Sequence, residues 1–543
     1  MHGLMMDMPL LISSLIKHAA QYHGDTEIVT RTVEGPIHRY TYAEAHSRAR
    51  RLANALKGLG VQQGDRIGTL AWNTHRHYEV YFAVSGMGAV CHTINPRLFH
   101  DQLTYIINHA RDVYLFVDAT LVPLVEQLAD EIREVRGVVV LTDEAHMPKS
   151  DVLPRLICYE SLLDEQRDDF DWPLLDENTA SSLCYTSGTT GNPKGVLYSH
   201  RSNVLHTFGA ALPDSLNLSA RDVVMPVVPM FHANAWGMPY VTTMTGAKQV
   251  LPGPQLDPAS LHELIESEGV TFSAAVPTVW LMLLSWLNET GNRVDSMKSV
   301  VIGGSACPRA MMETFGEKYG VNVRHAWGMT EMSPLGTMNT PLLRHANLSK
   351  KEYYDLCENQ GRPIFGVEMK ITDDEGRELP RDGKAFGDLR VRGLWVAKSY
   401  LGGAGSSAFD EDGWFSTGDV ATLDANGYMR ITDRSKDVIK SGGEWISSID
   451  LENLAVGHPE VAEAAVIGVK HPKWDERPLL LIVRRKDSKL DKAEILTYLQ
   501  DKVARWWMPD DVVFVDELPH TATGKLLKTK LREDFADYVL PTA

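Results

Sequence analysis

The chain has 543 residues, of which 44% are hydrophobic and 23% are charged, and its formal net charge is -17 at pH 7. This length and composition are typical of a globular protein with several domains. The acidic balance disfavours binding to nucleic acid or anionic lipid, because those surfaces need many cations that neutralise phosphates. Five scattered cysteines form no CxxC pair, which predicts reduced thiols in a cytoplasmic protein. No apolar stretch is long enough to predict a membrane span.

The first part of the chain alternates helical patterns with short apolar runs. A capping box at Thr41–Glu44 opens a predicted helix that ends at Gly58. The alternation predicts an α/β fold with a largely parallel sheet. The predicted strands lie at Ile67–Ala71, Ala89–Ile94, Tyr114–Asp118 and Gly137–Leu141, with predicted helices at Tyr78–Met87 and Leu121–Val135.

A loop rich in glycine and hydroxyl groups, Thr186–Gly195, follows the apolar segment Ala180–Cys184. Glycines let backbone N–H groups approach a phosphate, the hydroxyls add donors or a Mg²⁺ ligand, and Lys194 adds positive charge. The loop is not a Walker A motif, because Pro193 precedes the lysine and Gly195 follows it. The loop therefore predicts a phosphate site of another class. The alternative is a plain surface loop.

The pattern changes in the second half of the chain. Short alternating runs and many turn residues over Leu389–Arg430 predict antiparallel β structure. A second glycine pattern, Gly403–Ala408, lacks a preceding strand and is predicted to be a turn. We place a hinge after Asp433, which predicts domains at 1–433 and 434–543. The second would be a small mobile α+β domain, with strands near Ala464–Val469, Leu479–Arg484 and Val512–Val515 and a helix at Lys492–Trp507.

Four segments, in order along the chain, complete a pattern that begins with the glycine-rich loop. They are Trp327–Glu331 (Trp-Gly-Met-Thr-Glu), Ser416–Asp419 (Ser-Thr-Gly-Asp), Asp433–Asp437 (Asp-Arg-Ser-Lys-Asp) and Gly524-Lys525. Together they resemble the motifs of adenylate-forming enzymes. Val227–Trp236 and Lys440–Ser448 are similar to the fatty acyl-CoA synthetases of that superfamily, and the chain also resembles ligases that act on 3-methylmercaptopropionate.

The resemblance implies a reaction in two half-reactions. An acid and ATP would give an acyl-AMP and pyrophosphate, and coenzyme A would then displace AMP to give a thioester. The implied cofactors and partners are ATP, Mg²⁺, coenzyme A and a small carboxylic acid, in a homodimer with no nucleic acid partner. A large domain of mainly parallel sheets with a β-rich subdomain would precede a C-terminal lid domain.

The resemblance also implies roles for individual residues. Lys525 would bridge the carboxylate and the phosphate, with Thr330, Glu331 and His232 as further catalytic residues, and Thr186 and Glu331 would bind Mg²⁺. Lys436 would be the hinge residue. The residues implied to contact ATP or coenzyme A are Thr186, Ser187, Gly188, Thr189, Thr190, Lys194, Trp327, Gly328, Met329, Asp419, Arg434, Lys436, Lys440, Gly442, Gly443, Glu444 and Trp445.

The acid would lie against Trp236, Gly303, Gly304, Ser305 and Pro334, with Trp236 as a gate over the acyl tunnel. His232 would share a face with Trp236 if that segment is a helix. The motif that begins at Trp327 commonly starts with tyrosine, and an indole cannot reproduce a phenol's hydrogen bond. We expect the larger ring to narrow the acyl pocket or to stack on adenine, which favours short or medium-chain acids.

Three alternatives remain at this point. The chain could be a long-chain fatty acid–CoA ligase, an adenylation enzyme that loads a carrier protein, or a nucleotide-binding regulator without catalysis. Lys525, Glu331 and Asp419 argue against the regulator. The histidines, including His75 and His77, form no recognisable metal-binding set.

Overall fold

The structure is a computed structural model. It describes the chain except for residues 2, 154, 187–191, 443, 501 and 522–525, and except for the side chains of residues 444 and 445. Among the described residues, no helix is both long and apolar enough to cross a bilayer.

The first large sheet has seven strands. Six of them are parallel, and the last, Gly195–Ser199, pairs antiparallel with Ala180–Tyr185. The predicted parallel sheet is thus confirmed, and the glycine-rich loop connects its last two strands. In spatial order the strands are Leu156–Cys158, Val138–Val140, Asp112–Val117, Arg66–Leu70, Val90–Thr93, Ala180–Tyr185 and Gly195–Ser199.

The second large sheet has nine strands, with six parallel strands in the middle and antiparallel pairs at its edges. Helices cover both faces of such a parallel sheet, so its strands are buried on both sides. This burial explains the continuous apolar runs of the sequence. In spatial order the strands are Arg362–Pro363, Leu335–Met338, Asn322–Gly328, Ser299–Ile302, Phe272–Ala275, Val223–Pro226, Lys248–Leu251, Glu27–Arg31 and Ile37–Thr41.

The helices of this part of the chain flank the two sheets. The capping box at Thr41 is present, with its side chain accepting from the Glu44 N–H group. The predicted helix over Leu121–Val135 is mostly wrong, because α-helical geometry covers only Val122–Glu126 and the chain then continues as turns. Those turns still bury Leu128, Ile132 and Val135, so the apolar periodicity marked buried positions but not a regular helix. The helices are Ile12–Tyr22, Tyr42–Gly58, His75–Gly86, His100–Ala110, Val122–Glu126, Tyr159–Asp164, His200–Ala211, Met238–Thr245, Pro258–Glu268, Pro277–Thr290, Arg309–Glu313 and Lys350–Cys357.

A third sheet confirms the antiparallel structure predicted for Leu389–Arg430. Its four strands follow one another along the chain and pair antiparallel throughout. The last strand ends at Arg434, next to the predicted hinge. The strands are Val367–Thr372, Phe386–Gly393, Phe415–Leu423 and Met429–Arg434.

The remaining residues form a fourth sheet with helices. The predicted helix at Lys492–Trp507 ends at Leu499, because Gln500 leaves helical geometry, and Arg505–Trp507 is a separate 3-10 turn. The strands are Ile439–Ser441, Glu444–Ile446, Val461–His471, Asp475–Arg484 and Asp511–Phe514, and the helices are Ser448–Val456, Lys492–Leu499 and Lys528–Asp534.

Hydrophobic packing divides the chain at Arg434, where the third sheet ends. In the part that the structure describes, no buried hydrophobic cluster contains residues from both sides of Arg434. We call residues 1–434 the main part and residues 435–543 the C-terminal part. Each part has its own core, which is what independent folding units require.

Candidate active site

A cavity of about 700 Å³ lies where the main part meets the C-terminal part. Its walls come from the two ends of the glycine-rich loop, the nine-stranded sheet, the third sheet and the C-terminal helices. It brings together many of the predicted site residues, which are Thr186, Lys194, His232, Trp236, Gly303, Gly304, Ser305, Trp327, Gly328, Met329, Thr330, Glu331, Pro334, Arg434 and Lys436.

Other predicted residues stand elsewhere. Ser187, Gly188, Thr189, Thr190, Gly443 and Lys525 lie outside the described residues, as do the side chains of Glu444 and Trp445. Lys440 and Gly442 are described but are not among the residues that line the cavity. The Lys440 backbone N–H donates to Glu476 Oε2 at 3.0 Å, and the Gly442 N–H donates to the Trp474 carbonyl at 2.8 Å.

The two ends of the glycine-rich loop are tied to each other. The Thr186 N–H donates to the Lys194 carbonyl at 2.9 Å, and the Lys194 N–H donates to Thr186 Oγ1 at 3.1 Å. The Lys194 ammonium lies 4.9 Å from the centre of the Tyr400 ring, a cation–π contact. These contacts hold a positive charge at the mouth of the loop, where a polyphosphate would need it.

The turn predicted at Gly403–Ala408 is present as part of two short 3-10 turns, Leu401–Gly403 and Ser406–Ala408. A Cβ atom on Gly405 would lie 2.6 Å from Lys194 Nζ, so the glycine lets this turn pack against the lysine. Ser407 and Ala408 also line the cavity. The sequence alone did not indicate this contact, because nothing local in a turn shows what it packs against.

Glu331 is buried and reaches the same region. Its Oε1 accepts a hydrogen bond of 2.6 Å from the Tyr400 hydroxyl. Burial, and then the Glu331 carboxylate, raises the pKa of Tyr400 well above its usual value, so the phenol stays protonated and donates. Tyr400 thus connects Lys194 to Glu331 and keeps the cation of the loop near the carboxylate.

The donor chemistry of Glu331 and Thr186 fits Mg²⁺. Both offer oxygen atoms, and Mg²⁺ is usually bound by one or two protein oxygens together with phosphates and waters. Among the described residues there is no cluster of three or more His, Cys, Asp or Glu side chains that could hold a metal without such help. The pair therefore suits an ion that arrives with a nucleotide.

Asp419 is buried and is not among the lining residues, but two residues that do line the cavity donate to it. Trp327 Nε1 donates to its Oδ2 at 2.9 Å, and Arg434 Nε lies 2.7 Å from its Oδ1. A carboxylate has about four lone-pair positions, so two donors leave room for the hydroxyls of a ribose. The predicted roles of Trp327, to narrow the acyl pocket or to stack on adenine, did not include this contact, in which the indole N–H donates to the aspartate.

The Trp327 ring also depends on a glycine. A Cβ atom on Gly336 would lie 2.6 Å from Cζ3 of the indole, well inside contact distance. Gly336 therefore makes the space that the indole occupies. Only the tertiary pairing of the two strands shows this match.

The other end of the cavity is apolar. Trp236 packs against the main hydrophobic core, and a Cβ atom on Gly303 would lie 3.3 Å from Cη2 of its indole. We call this region the acyl side, and its lining is Leu216, Trp236, Met238, Leu281, Val301, Gly303, Leu335 and Met338.

The segment that carries Trp236 is not a right-handed helix. Ala233, Asn234, Ala235 and Trp236 have φ angles of 43°, 52°, 51° and 57°, and Gly237 follows at 76°. The condition under which His232 and Trp236 would share one helical face is therefore not met, although both line the cavity. A left-handed conformation costs about 1–2 kcal/mol per non-glycine residue, so contacts elsewhere must hold this turn.

A cluster of polar and charged groups lies where the C-terminal part meets the main part, beside the cavity. Asp433 is fully buried and accepts hydrogen bonds of 2.7 Å from both the N–H and the hydroxyl of Ser448. Lys528 pairs with Glu452 at 2.7 Å. Burial raises the pKa of Glu452 to about 7, and burial also raises the pKa of Asp433. The sequence alone did not indicate this cluster, because its members are far apart along the chain.

The described residues on either side of residues 522–525 line the cavity. They are Thr521 on one side and Leu526 on the other, and His520 lines it as well. Lys525 itself is not described, but its nearest described neighbours stand at the junction of the two parts.

Comparisons with known proteins agree with this geometry. Residues 16–401 match the AMP-binding enzyme family, and residues 450–525 match the AMP-binding enzyme C-terminal domain. A 3-methylmercaptopropionyl-CoA ligase of Ruegeria lacuscaerulensis is 57% identical over 537 residues, which is 99% of each chain. A medium-chain-fatty-acid–CoA ligase of Ectopseudomonas oleovorans is 54% identical over 99% of this chain and 98% of its own.

A solved structure shares the whole fold. The crystal structure of the anthranilate CoA ligase AuaEII in complex with anthranoyl-AMP superposes with a TM-score of 0.86 at 26% identity, covering 98% of this chain and 99% of that one. The chain belongs to the AMP-binding enzyme family. It is an AMP-forming acid–CoA ligase of that family, which confirms the predicted fold class, enzyme class and nucleotide.

Proposed function

We propose that this chain joins a short or medium-chain aliphatic or thioether acid to coenzyme A through an acyl-AMP, and that 3-methylmercaptopropionate is one substrate. The observation that carries this proposal is the acyl side of the cavity. It is apolar, and none of its lining residues carries a positive charge that would pair with a second carboxylate. An acid with one carboxylate and an uncharged tail suits it.

Two indoles, Trp236 and Trp327, and two methionines, Met238 and Met338, are among the residues that line the cavity. Sulfur makes favourable contacts with aromatic rings and methionine adapts to irregular space, so this lining suits a thioether tail as well as a short alkyl tail. The names of the two relatives, one a thioether-acid ligase and one a medium-chain ligase, support the same choice.

The first half-reaction forms a bond between a carboxylate oxygen and the α-phosphorus, and the bond to the bridging oxygen of the β-phosphate breaks. The transition state gathers negative charge between two anions, which positive groups must offset. Lys194 would hold the leaving pyrophosphate and Lys525 would bridge the carboxylate and α-phosphate oxygens. His232 and Thr330 line the same cavity as Lys194. Bound Mg²⁺, held by Glu331 and Thr186, would neutralise phosphate charge.

Asp419 would bind the ribose hydroxyls, held in place by Trp327 and Arg434. In the second half-reaction the coenzyme A thiolate attacks the acyl carbon and AMP leaves. Lys440, Gly442, Gly443, Glu444 and Trp445 would form the face that receives coenzyme A. The two described members of that set do not line the cavity, while the neighbours of Lys525 do, which supports an arrangement for the first half-reaction.

We further propose that rotation about the 433/434 boundary, with Lys436 as the hinge residue, exchanges these two faces. A hinge needs only a few residues that absorb changes in φ and ψ. The separate cores of the two parts permit this motion. A homodimer in the cytoplasm is part of the proposal on resemblance alone, and light scattering after size exclusion would test the dimer.

The test is a coenzyme A-dependent AMP-release assay on straight-chain acids from acetate to palmitate, with 3-methylmercaptopropionate included. We expect the highest kcat/KM with 3-methylmercaptopropionate or with acids of about four to eight carbons, because the lining of the acyl side suits such tails. A maximum at palmitate would show a long-chain ligase instead. AMP release that does not depend on free coenzyme A would show an enzyme that loads a carrier protein.

A further inference from the structure

The left-handed turn at residues 233–236 cannot be explained by its own sequence. Four consecutive residues other than glycine adopt positive φ, whereas such residues normally visit that region singly. Two of them are alanines, whose side chains offer no hydrogen bond. Asparagine is among the few residues that tolerate this conformation, because its short amide can bond nearby groups. Asn234 is therefore the natural place to look for what holds the turn.

The Asn234 amide is 1% exposed and uses both of its ends. Its Nδ2 donates to Ser182 Oγ at 3.0 Å, and its Oδ1 accepts from Cys184 Sγ at 3.5 Å. Burial raises the pKa of Cys184 to about 11, so the thiol keeps the proton that it donates. The turn is thus fixed by its middle residue to a rigid strand.

Ser182 and Cys184 are two residues apart on the strand Ala180–Tyr185, so their side chains point to the same face. This strand leads directly into the glycine-rich loop that begins at Thr186. At the other end of the turn, the Gly237 N–H donates to the Asn234 carbonyl at 2.9 Å. Trp236 lies between Asn234 and Gly237, and its indole lies against Gly303.

We propose that Asn234 is a positioning residue for acid selection: its amide holds the left-handed turn on the strand that enters the phosphate loop and so fixes Trp236 over the acyl side. This inference rests on the proposed function, which defines the acids that the enzyme selects. Without the anchor, the four residues return to ordinary negative φ values and the indole leaves Gly303. The acyl side then no longer discriminates between tails of different length.

The chain offers a matched control. Asn203 is also buried, and its Nδ2 donates to the same Ser182 Oγ at 3.1 Å, as well as to Ser181 Oγ. Its helix, His200–Ala211, does not include the turn. Asn203→Ala therefore removes a comparable buried amide from the same serine while leaving the turn its own anchor.

The experiment compares Asn234→Ala with Asn203→Ala and the wild type. For each protein, kcat/KM is measured for butyrate and octanoate, and KM is measured for ATP. We expect Asn234→Ala to change the butyrate-to-octanoate ratio by about tenfold, the effect of one or two lost buried hydrogen bonds. The KM for ATP should change by less than about threefold. Asn203→Ala should keep the wild-type ratio. An unchanged ratio in Asn234→Ala, or an equal change in both variants, overturns the proposal.

Two further measurements keep the test decisive. If Asn234→Ala does not fold, Asn234→Gly replaces it, since glycine accepts positive φ without strain but lacks the amide. A wild-type ratio in Asn234→Gly overturns the proposal. Hydrogen–deuterium exchange over residues 228–240 should be faster in Asn234→Ala than in Asn203→Ala, and equal rates overturn it. Exchange needs no turnover, so a wild type that is inactive on every acid would reject the proposed function separately.

Discussion

The main part and the C-terminal part contribute to the cavity in different ways. In the main part, site residues are held by buried hydrogen bonds and by packing against a shared core, as for Trp327 on Asp419 and Asn234 on Ser182. None of the described residues of the C-terminal part belongs to that core, and the part is joined near the hinge by polar and charged contacts, such as Asp433 with Ser448 and Arg430 with Asp450. Packed cores resist displacement, while a few polar contacts can exchange for others. The main part therefore provides a preorganised side of the site. The C-terminal part can present a different face to it in each half-reaction.

The comparison predicts the largest effect for Lys525→Ala. The C-terminal part would bring Lys525 to the negative charge that develops only in the transition state. Loss of one group that stabilises such charge lowers the rate by about 10²–10³. We expect the rate of acid-dependent ATP–pyrophosphate exchange to fall by that factor, while the KM for ATP stays near the wild-type value.

Thioester formation from supplied acyl-AMP should survive better in Lys525→Ala. The control is Lys530→Ala, since Lys530 lies in the same segment but pairs with Asp534 at 2.6 Å on the surface. Exchange near the wild-type rate in Lys525→Ala would contradict the assignment of this lysine.

A smaller effect is expected for Trp327→Phe in the main part, and it should appear in the KM for ATP rather than in the rate. Phenylalanine keeps an aromatic ring but removes the indole N–H that orients Asp419. One lost buried hydrogen bond to a charged group should raise the KM for ATP by about tenfold with a smaller change in kcat. A change in kcat alone would show that the indole does not act on nucleotide binding.

A second substitution, Gly336→Ala, tests whether the position of the Trp327 indole affects ATP binding. The added methyl group should impair ATP binding in the wild type, because it meets the indole at 2.6 Å. It should cost less in the Trp327→Phe background, where the ring is smaller. Strictly additive effects would show that the two residues are not in contact.

The smallest effect is a difference in pH dependence between the two parts. Burial lowers the pKa of His77 to about 4 and that of His206 to about 3, from an ordinary 6.5. The unfolded chain binds these protons first as pH falls from about 6.5 towards 4, so these two histidines lower the stability of the main part on acidification. Burial raises the pKa of Glu452 from 4.5 to about 7, so this contribution to stability is fully present below pH 4.5 and is lost as pH rises through about 7.

Hydrogen–deuterium exchange, corrected for intrinsic rates, can measure this difference at pH 7 and pH 5.5. Protection should fall around His77 and His206 at the lower pH, while it should hold or rise around the helix Ser448–Val456. A parallel loss of protection in both parts would contradict the view that they are stabilised differently.

Much of the fold could be predicted from the sequence, because the patterns that carry it are local. Alternating helical and apolar segments predicted the parallel sheets, and alternating short runs predicted the antiparallel sheet. The helices at Leu121–Val135 and Lys492–Trp507 were too long in the prediction, since apolar periodicity marks burial and does not show where regular hydrogen bonding ends. The predicted roles of the site residues still await the experiments above.

By itself, the sequence determined the glycine-rich loop, the order of the motifs and the enzyme class that they indicate, because each motif is a short run of residues whose chemistry is local. Tertiary structure alone decided what holds those motifs. The bond from Trp327 to Asp419 joins residues 92 positions apart. The bond from Lys528 to Ser448 joins residues 80 positions apart. The left-handed turn at Trp236 is held in the same way, since Asn234 within it bonds to Ser182 and Cys184, which are 52 and 50 positions away.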